Sequence, residues 1–260
     1  MLSYQHSYHA GNLADVHKHA ALAVMLDYLT RKKKPLSYIE THAGRGLYAL
    51  DAAEAVKTGE AAAGIGRALQ VLPADHPYRR SVENLRARYG AAAYPGSPLL
   101  AALLLRPSDR LHLAELHPQE FAALKAAMSP YGASCRREDG LKFALSITPP
   151  EPRRGLMLID PSFEVKAEYG ALPPLVAKIH AKWNVGIVAL WYPILASDAH
   201  APMLAALEAR GLPKTLRHEV SFPPARGGRG MLGSGLFVVN APYGLAAEAE
   251  RLSALFASLT

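Results

Sequence analysis

Short apolar runs alternate with longer amphipathic stretches along the chain. Five of the apolar runs predict β-strands, and they lie within residues 36–44, 110–116, 133–139, 155–160 and 185–193. Two of them, "GLMLID" and "VGIVALWYP", are continuously apolar, which is typical of strands that are buried on both faces. Helical stretches separate the strands, so the pattern predicts an α/β fold around a mostly parallel sheet.

The last part of the chain has a different pattern. The runs "TLRHEVSF" and "GLFVVNAP", at 215–222 and 235–242, flank a loop rich in Gly and Arg. Two strand-like runs joined in this way predict an antiparallel ladder. We expect this ladder at the edge of the sheet.

Three helix starts can be read from capping residues. Pro118 stands in the first turn of a helix that carries "QEFAALKAAM", because proline lacks an N–H that this turn would leave unpaired. Asp139 precedes "GLKFALSI", and Ser97 precedes Pro98. Both have a side-chain oxygen that accepts a hydrogen bond from a helix's first turn, so we expect N-caps at Asp139 and Ser97.

One spacing indicates an insertion within a single domain of residues 1–260. In dinucleotide-type α/β folds, an acid that holds a ribose lies about 20 residues beyond the glycine turn. Here the turn ends at Gly46, and Glu115, at the tip of the second strand, follows 69 residues later. Segment 53–95 is rich in Ala and has helical spacing, so we interpret it as a small inserted helical subdomain. Its basic face could contact nucleic acid or only solvent, and consists of Arg79, Arg80, Arg86 and Arg88.

Composition narrows the class of protein. The chain has 260 residues, half of them hydrophobic, and its single cysteine, Cys135, allows no internal disulfide. The N-terminus has no apolar segment of signal-peptide length, and no run approaches the roughly 18 residues of a membrane span. We therefore expect a cytoplasmic protein without a membrane contact. The net charge of +7 favours a polyanionic partner, although a solvated basic surface is the alternative.

Candidate ligand-binding residues follow successive strands. The turn "THAGRG" has glycines that let the backbone approach a ligand, but it lacks the complete G-x-G-x-x-G pattern, which counts against a dehydrogenase. Glu115 ends the second strand, and Asp139-Gly140 ends the third. Ligands bind at the carboxyl edge of such sheets, so one acid could hold ribose hydroxyls and the other the adenine of an adenosyl cofactor.

Asp160-Pro161-Ser162-Phe163 follows the fourth strand. An exocyclic base amine is a poor nucleophile, because its lone pair is delocalised into the ring. A carboxylate and the Pro161 carbonyl can accept the two amine hydrogens, while the Phe163 ring stacks on an extruded base. The alternative is an Asp-Pro turn followed by a core phenylalanine.

These residues resemble a known family. Asp160–Phe163 is similar to the D/N-P-P-Y/F signature of amino-directed adenine methyltransferases. The segments "MLSYQHSYHAGNLADVHKH", "YIETHAGRGLY", "YPGSPLL", "ELHP", "LMLIDPSFE" and "ALWYP" resemble the bacterial 23S ribosomal RNA adenine-N6 methyltransferases called RlmJ. The resemblance implies a Rossmann-like class I methyltransferase, with a seven-stranded sheet, an antiparallel edge pair and an inserted helical subdomain. It also implies S-adenosylmethionine as cofactor and 23S ribosomal RNA as partner.

The resemblance also implies roles for individual residues. Asp160 would accept the proton and also touch the cofactor, and Pro161, Phe163, Tyr4, His6 and Lys18 would join it in catalysis or substrate contact. The further cofactor contacts would be His19, His42, Ser97, Glu115, Asp139 and Gly140. Four histidines near the N-terminus lack a close set of acid or cysteine partners, so we expect no metal. We expect a monomer.

One position departs from the family pattern. Ser162 stands where a second proline is usual, which releases a fixed backbone angle and puts catalytic efficiency in doubt. Two alternatives therefore stay open: a DNA adenine-N6 methyltransferase of the same fold, and a non-catalytic RNA-binding descendant.

Overall fold

The computed structural model describes residues 6–223 and 230–259, so the predicted site residue Tyr4 lies outside the described residues. Within these ranges the chain forms nine strands: β1 (Ser37–Glu40), β2 (Leu47–Ala49), β3 (Ala93–Pro95), β4 (Arg110–Ala114), β5 (Ser134–Arg136), β6 (Gly155–Ile159), β7 (Ile187–Leu195), β8 (Leu216–Ser221) and β9 (Met231–Val239). Seven of these strands build one sheet.

The helices pack around that sheet. In the described ranges the α-helices are α1 (Leu13–Thr30), α2 (Ala53–Thr58), α3 (Arg67–Val71), α4 (Pro77–Tyr89), α5 (Ser97–Leu104), α6 (Pro118–Met128), α7 (Gly140–Ile147), α8 (Ala167–Lys182), α9 (His200–Glu208) and α10 (Leu245–Leu259). Short 3₁₀ turns occupy His6–Tyr8 and Ser129–Tyr131, and a π turn occupies Ala62–Gly66. None of these described helices combines the length and apolar character that crossing a bilayer demands.

The central sheet has the strand order β5-β4-β1-β6-β7-β9-β8. The strands from β5 to β7 are parallel, whereas β9 runs antiparallel to both β7 and β8. The predicted α/β fold and its antiparallel edge pair are therefore confirmed. Every residue of β1 and β6 is buried, as expected for strands with helices on both faces. The carboxyl ends of β4, β1 and β6 consequently meet at one edge.

Helix α1 is buried on nearly all sides, because it packs against α4, α5, α10 and β9. Its start is well defined: the Asn12 side chain accepts a hydrogen bond from the Asp15 amide at 2.9 Å. The first turns of α1 carry Asp15, Lys18 and His19, all of which are buried. This helix therefore brings charged groups into the interior beside the carboxyl edge of the sheet.

Residues 53–95 contain helices α2 to α4, the π turn and strand β3. Strand β3 pairs antiparallel with β2 in a separate two-stranded ladder, which the sequence pattern did not predict. The π turn lies directly on the chain that precedes α1. A Cβ at Gly64 would lie 2.2 Å from the Gly11 carbonyl oxygen, so only glycine permits this approach. The inserted subdomain stays a prediction.

Candidate active site

A cavity of about 930 Å³ opens at the carboxyl edge of the sheet. Its wall comes from the turns that follow β1, β4, β5 and β6, and from the first turns of α1. All predicted site residues that the structure describes line it, namely His6, Lys18, His19, His42, Ser97, Glu115, Asp139, Gly140, Asp160, Pro161 and Phe163. Residues from six separate segments of the chain thus share one site.

Glu115 is held in place by two backbone amides. One carboxylate oxygen accepts a hydrogen bond from the Gly44 amide at 2.8 Å, and the other accepts one from the His117 amide at 2.7 Å. Burial raises the pKa of Glu115 above its ordinary value. Each oxygen can accept a further hydrogen bond, so the carboxylate is suited to a ligand with hydroxyl groups.

Asp139 and Gly140 form the start of α7. The Asp139 side chain accepts a hydrogen bond from the Lys142 amide at 2.9 Å, which confirms the predicted N-cap. A Cβ at Gly140 would lie 2.0 Å from the Thr41 carbonyl oxygen. Glycine is therefore required to bring the start of α7 against the turn that follows β1.

His19 is buried and His42 is half-buried, and both are neutral at pH 7. Burial lowers the pKa of His42 to about 4 and the pKa of His19 to about 3. The Nδ1 atom of His19 lies 2.8 Å from the Tyr94 hydroxyl, whereas its Nε2 atom makes no hydrogen bond with any described residue. An unpaired buried nitrogen beside the cavity is suited to a polar ligand atom.

Ser97 has a different partner from the one its sequence predicts. Helix α5 takes Gly96 as its N-cap, without a side-chain hydrogen bond, so the N-cap expected at Ser97 is wrong. The Ser97 hydroxyl instead donates to the carboxylate of Glu40, which also accepts from the Tyr38 hydroxyl at 2.8 Å. Burial raises the pKa of Glu40 to about 8. A buried acid without hydrogen-bond donors would be costly. The Ser97 hydroxyl therefore stabilises the protein more by donating to Glu40 than by capping α5.

Lys18 joins two acids at the other side of the cavity. Its ammonium group lies 2.5 Å from Asp160 Oδ2 and 3.1 Å from Asp15 Oδ1. Burial alone would lower the pKa of Lys18, but the two carboxylates outweigh it and raise the pKa well above its usual range. Lys18 is therefore charged at neutral pH, and its hydrogen bond restrains the Asp160 carboxylate.

Asp15 connects this pair to the N-terminal segment. Its Oδ2 atom accepts hydrogen bonds from His6 Nε2 and from the Gly11 amide, each at 2.9 Å. Burial would raise the pKa of Asp15, but His6 and Lys18 hold it well below its ordinary value. Sequence reasoning did not select Asp15. The spacing of Asp15 and Lys18, three positions apart on one helix, was the available signal.

An aromatic cluster closes the wall beside Asp160. Phe163 has a φ of 56°, in the left-handed region, and its ring packs 4.7 Å from the Tyr169 ring and 6.1 Å from that of Trp191. The Trp191 indole N–H donates to Ser234 Oγ at 2.8 Å. Lys18 Nζ lies 5.4 Å from the Trp191 ring, so Trp191 touches both the charged and the aromatic parts of the site. It too was missed from the sequence.

No group of three or more His, Cys, Asp or Glu side chains with metal-binding geometry occurs among residues 6–223 and 230–259. The absence of a metal stays a prediction.

The fold and the site together define a class of protein. A seven-stranded sheet in this order, with one antiparallel strand and acids after successive parallel strands, is the architecture of a class I methyltransferase. A family model described as "Ribosomal RNA large subunit methyltransferase D, RlmJ" matches residues 33–259. The chain belongs to this family, and its methyl donor is S-adenosylmethionine.

Individual relatives agree with this assignment. The chain is 41% identical over 249 residues to ribosomal RNA large subunit methyltransferase J of Escherichia coli, covering 94% of this chain and 89% of the relative. It is 37% identical over 257 residues to the protein of the same name from Haemophilus influenzae, covering 97% and 92%. A crystal structure of a Legionella pneumophila protein is similar, with a TM-score of 0.85, 36% identity and coverage of 95% and 94%.

Proposed function

We propose that the protein transfers a methyl group from S-adenosylmethionine to the N6 atom of an adenine in 23S ribosomal RNA. The observation that carries this proposal is the position of Asp160-Pro161-Ser162-Phe163. These residues follow β6 at the cavity, with the Asp160 carboxylate held by Lys18 and the Phe163 ring in an aromatic wall. An acid, a fixed carbonyl and a stacking ring are what an exocyclic amine requires.

The cofactor side of the cavity comprises the side chains that line it after β1, β4 and β5. When bound, S-adenosylmethionine supplies an electrophilic methyl group. Glu115 would accept hydrogen bonds from the ribose hydroxyls, and the free Nε2 atom of His19 would meet a polar atom of the cofactor. Asp139 has one carboxylate oxygen beyond the one that caps α7. The remaining contacts would come from His42, Ser97 and Gly140.

Asp160 would act on the incoming amine. As the new C–N bond forms and the bond between the methyl group and the donor's sulfur breaks, the amine would become positive and one of its protons would pass to the Asp160 carboxylate. The displaced sulfur would leave as a neutral thioether. The Pro161 carbonyl would accept the second amine hydrogen and orient the nitrogen lone pair. Because Lys18 donates a hydrogen bond to one oxygen of Asp160, the carboxylate would be held in a fixed direction as the amine approaches.

Asp15 would act as a positioning residue. It binds the same Lys18 ammonium group as Asp160, and it also binds His6. One buried carboxylate thus links the N-terminal segment, which would contact the substrate through Tyr4 and His6, to the ammonium group that orients Asp160.

The base would be extruded from its stack to reach Asp160. Unpairing and unstacking a base require a few kcal/mol, which an aromatic surface returns in part by stacking on the extruded ring. Phe163 offers such a surface, and its packing against Tyr169 and Trp191 fixes the ring plane. Family membership supports RNA as the substrate over DNA, whereas the net charge of +7 suits either nucleic acid. Cytoplasmic location and a monomeric state stay predictions.

A nucleoside analysis tests the proposal. The protein is incubated with S-adenosylmethionine labelled in the methyl group and with deproteinised 23S RNA, assembled large subunits or DNA. The RNA or DNA is then digested to nucleosides. We expect label only in N6-methyladenosine from RNA, and none with the Asp160→Ala variant. Label in another nucleoside, or in DNA alone, would refute the proposed reaction, and the comparison of free RNA with subunits identifies the substrate form.

A further inference from the structure

A run of four basic residues lies at the edge of the sheet opposite the cavity. Arg31, Lys32, Lys33 and Lys34 connect α1 to β1, and all four are exposed. Arg31 pairs with Asp27 at 2.9 Å. The ammonium groups of Lys32, Lys33 and Lys34 form no ion pair with any described residue.

The backbone of this run is fixed by two further arginines. Arg106 donates to the carbonyl oxygens of Lys32 at 2.7 Å and Lys34 at 3.0 Å, and it is itself held by Asp109 at 2.9 Å. Arg154 also donates to the Lys34 carbonyl, at 3.0 Å. The lysines thus extend from an ordered loop, so a ligand that binds them has little backbone to immobilise.

Strand pairing brings more positive charge to the same place. In the parallel register Ser37 of β1 lies opposite Arg110 of β4 and Gly155 of β6, so Arg110, Arg153 and Arg154 share this edge with the lysines. Two acids stand in the same loops: Asp109 is buried and binds Arg106 and the Leu36 amide, whereas Glu151 is exposed, so basic side chains outnumber exposed acids there. The positive charges therefore repel one another. A bound anion would offset this repulsion.

We propose that this basic edge, formed by Arg31, Lys32, Lys33, Lys34, Arg110 and Arg153, binds backbone phosphates of the substrate RNA at a distance from the methylated adenine. The inference rests on the proposed RNA substrate. Exposed cations without partners gain affinity for RNA by releasing its condensed counterions. The contact needs no base readout, because phosphate contacts position a nucleic acid without reading its sequence.

The surface chemistry favours RNA over an anionic membrane. Proteins that lie on membranes combine cations with exposed apolar side chains that enter the lipid. No large apolar side chain is exposed in the described loops 31–35, 106–110 and 151–154, and the exposed Val185 and Tyr243 at this end of the sheet lie beside the neighbouring strands, before β7 and after β9. Because the basic edge and the cavity are at opposite ends of the parallel strands, only an RNA long enough to span the domain can reach both.

The test compares two variants with equal charge. In the first, Lys32, Lys33 and Lys34 are each changed to Gln. In the matched control, three exposed lysines on helices α2, α6 and α8 are changed instead: Lys57→Gln, Lys125→Gln and Lys178→Gln. Binding to deproteinised 23S RNA and to a short oligoadenylate is measured at several salt concentrations. Methylation of 23S RNA is measured in parallel.

We expect the basic-edge variant to reduce the slope of log binding constant against log salt by about 2, at about 0.7–0.9 per phosphate contact, for the long RNA only. The control variant should keep the wild-type slope. An unchanged slope, an equal reduction in the control, or an equal reduction with oligoadenylate would each overturn the proposal. A wild-type protein that binds RNA but does not methylate it would refute the proposed reaction instead, and the slopes would still decide this inference.

Discussion

At the carboxyl edge of the central sheet, acidic residues stand at or just after the ends of the parallel strands. At the amino edge, basic residues stand at or just before the starts of these strands. Four acids lie at the carboxyl edge. Glu40 is the last residue of β1, and the other three follow β4, β5 and β6, namely Glu115, Asp139 and Asp160. At the other edge, the loops before β1 and β6 carry Lys32, Lys33, Lys34 and Arg153, and Arg110 is the first residue of β4. One set of strands therefore separates the two signs of charge across the domain.

The difference between the edges teaches what each can bind. The acids at the carboxyl edge are half-buried or buried, and each has a protein partner that fixes its direction, as the Gly44 and His117 amides do for Glu115. The lysines at the amino edge are exposed. Hydrogen bonds fix their backbone, but their ammonium groups form no ion pair with any described residue. Fixed buried acceptors suit a cofactor and an amine with defined hydrogen positions, whereas free exposed cations suit a phosphate chain with variable geometry.

The largest expected effect is on the methylation rate, when an acid of the carboxyl edge is removed and an acid of the amino edge serves as the control. We expect Asp160→Ala to reduce the single-turnover methylation rate by about 10²–10⁴-fold, because the acceptor for the amine proton is lost. Calorimetric affinity for S-adenosylmethionine should stay near the wild-type value. Glu151→Ala, which removes an exposed acid at the amino edge, is the control and should leave the rate unchanged. A wild-type rate for Asp160→Ala would remove this carboxylate from the mechanism.

The second effect concerns the positioning of Lys18. We expect Asp15→Asn to lower kcat by about 10- to 100-fold, since a hydrogen bond to a charged group contributes about 1.5–3 kcal/mol. Asp27→Asn on the same helix is the matched control, because Asp27 pairs only with surface arginines.

A double variant separates positioning from folding. If Asp15 acts through Lys18, then adding Asp15→Asn to Lys18→Ala should lower kcat little further, because residues that act as a unit are not additive. Additive losses, or a large fall in melting temperature that accounts for the lower rate, would show that Asp15 only supports the fold.

The third effect tests the cofactor side of the carboxyl edge. We expect Glu115→Ala to weaken S-adenosylmethionine binding by about 1–3 kcal/mol, because a charged acceptor for the ribose hydroxyls is lost. Glu138→Ala removes an exposed acid of the same edge that does not line the cavity, so its affinity should not change. Equal affinity for Glu115→Ala and the wild type in a titration would exclude Glu115 from the cofactor site.

The smallest effect concerns Ser162. In the described chain the Ser162 amide donates no hydrogen bond, and its hydroxyl only accepts one from the Glu164 amide, at 3.4 Å. We therefore expect Ser162→Pro to preserve or raise the methylation rate and to add about 0.4–1 kcal/mol of stability, because proline restricts the unfolded chain. A large drop in single-turnover rate, with intact folding and cofactor affinity, would give the serine a role of its own.

The acids at strand ends could be predicted, because their position in the sequence is local to the strand that places them. Glu115, Asp139 and Asp160 each follow a strand within three residues, and parallel strands bring such residues together. The fold class could be predicted for the same reason. Strands β2 and β3 have three residues each, too few to produce a periodic pattern.

Asp15 and Glu40 could not be predicted, because their roles depend on distant partners. Asp15 is linked to Asp160 through Lys18, although more than 140 positions of sequence separate the two acids. Helix α1 has no distinct polar and apolar faces, so its sequence pattern does not show which of its charged residues are buried. Glu40 lies at the end of a buried strand, and its need for a donor recruits the Ser97 hydroxyl. Local capping rules for Ser97 failed because a long-range buried acid had the stronger requirement.

The strand order also determines how long β1 waits for its second neighbouring strand during synthesis of the chain. Strand β1 lies between β4 and β6, and 115 positions separate Glu40 from the first residue of β6. At about 5–20 residues per second, synthesis takes roughly 6–23 s to cover that interval. Until β6 has been synthesised, one edge of this strand, which is fully buried in the folded protein, has no strand to pair with. A ribosome that stalls before residue 155 would therefore leave a nascent protein with an open strand edge, which is where aggregation begins.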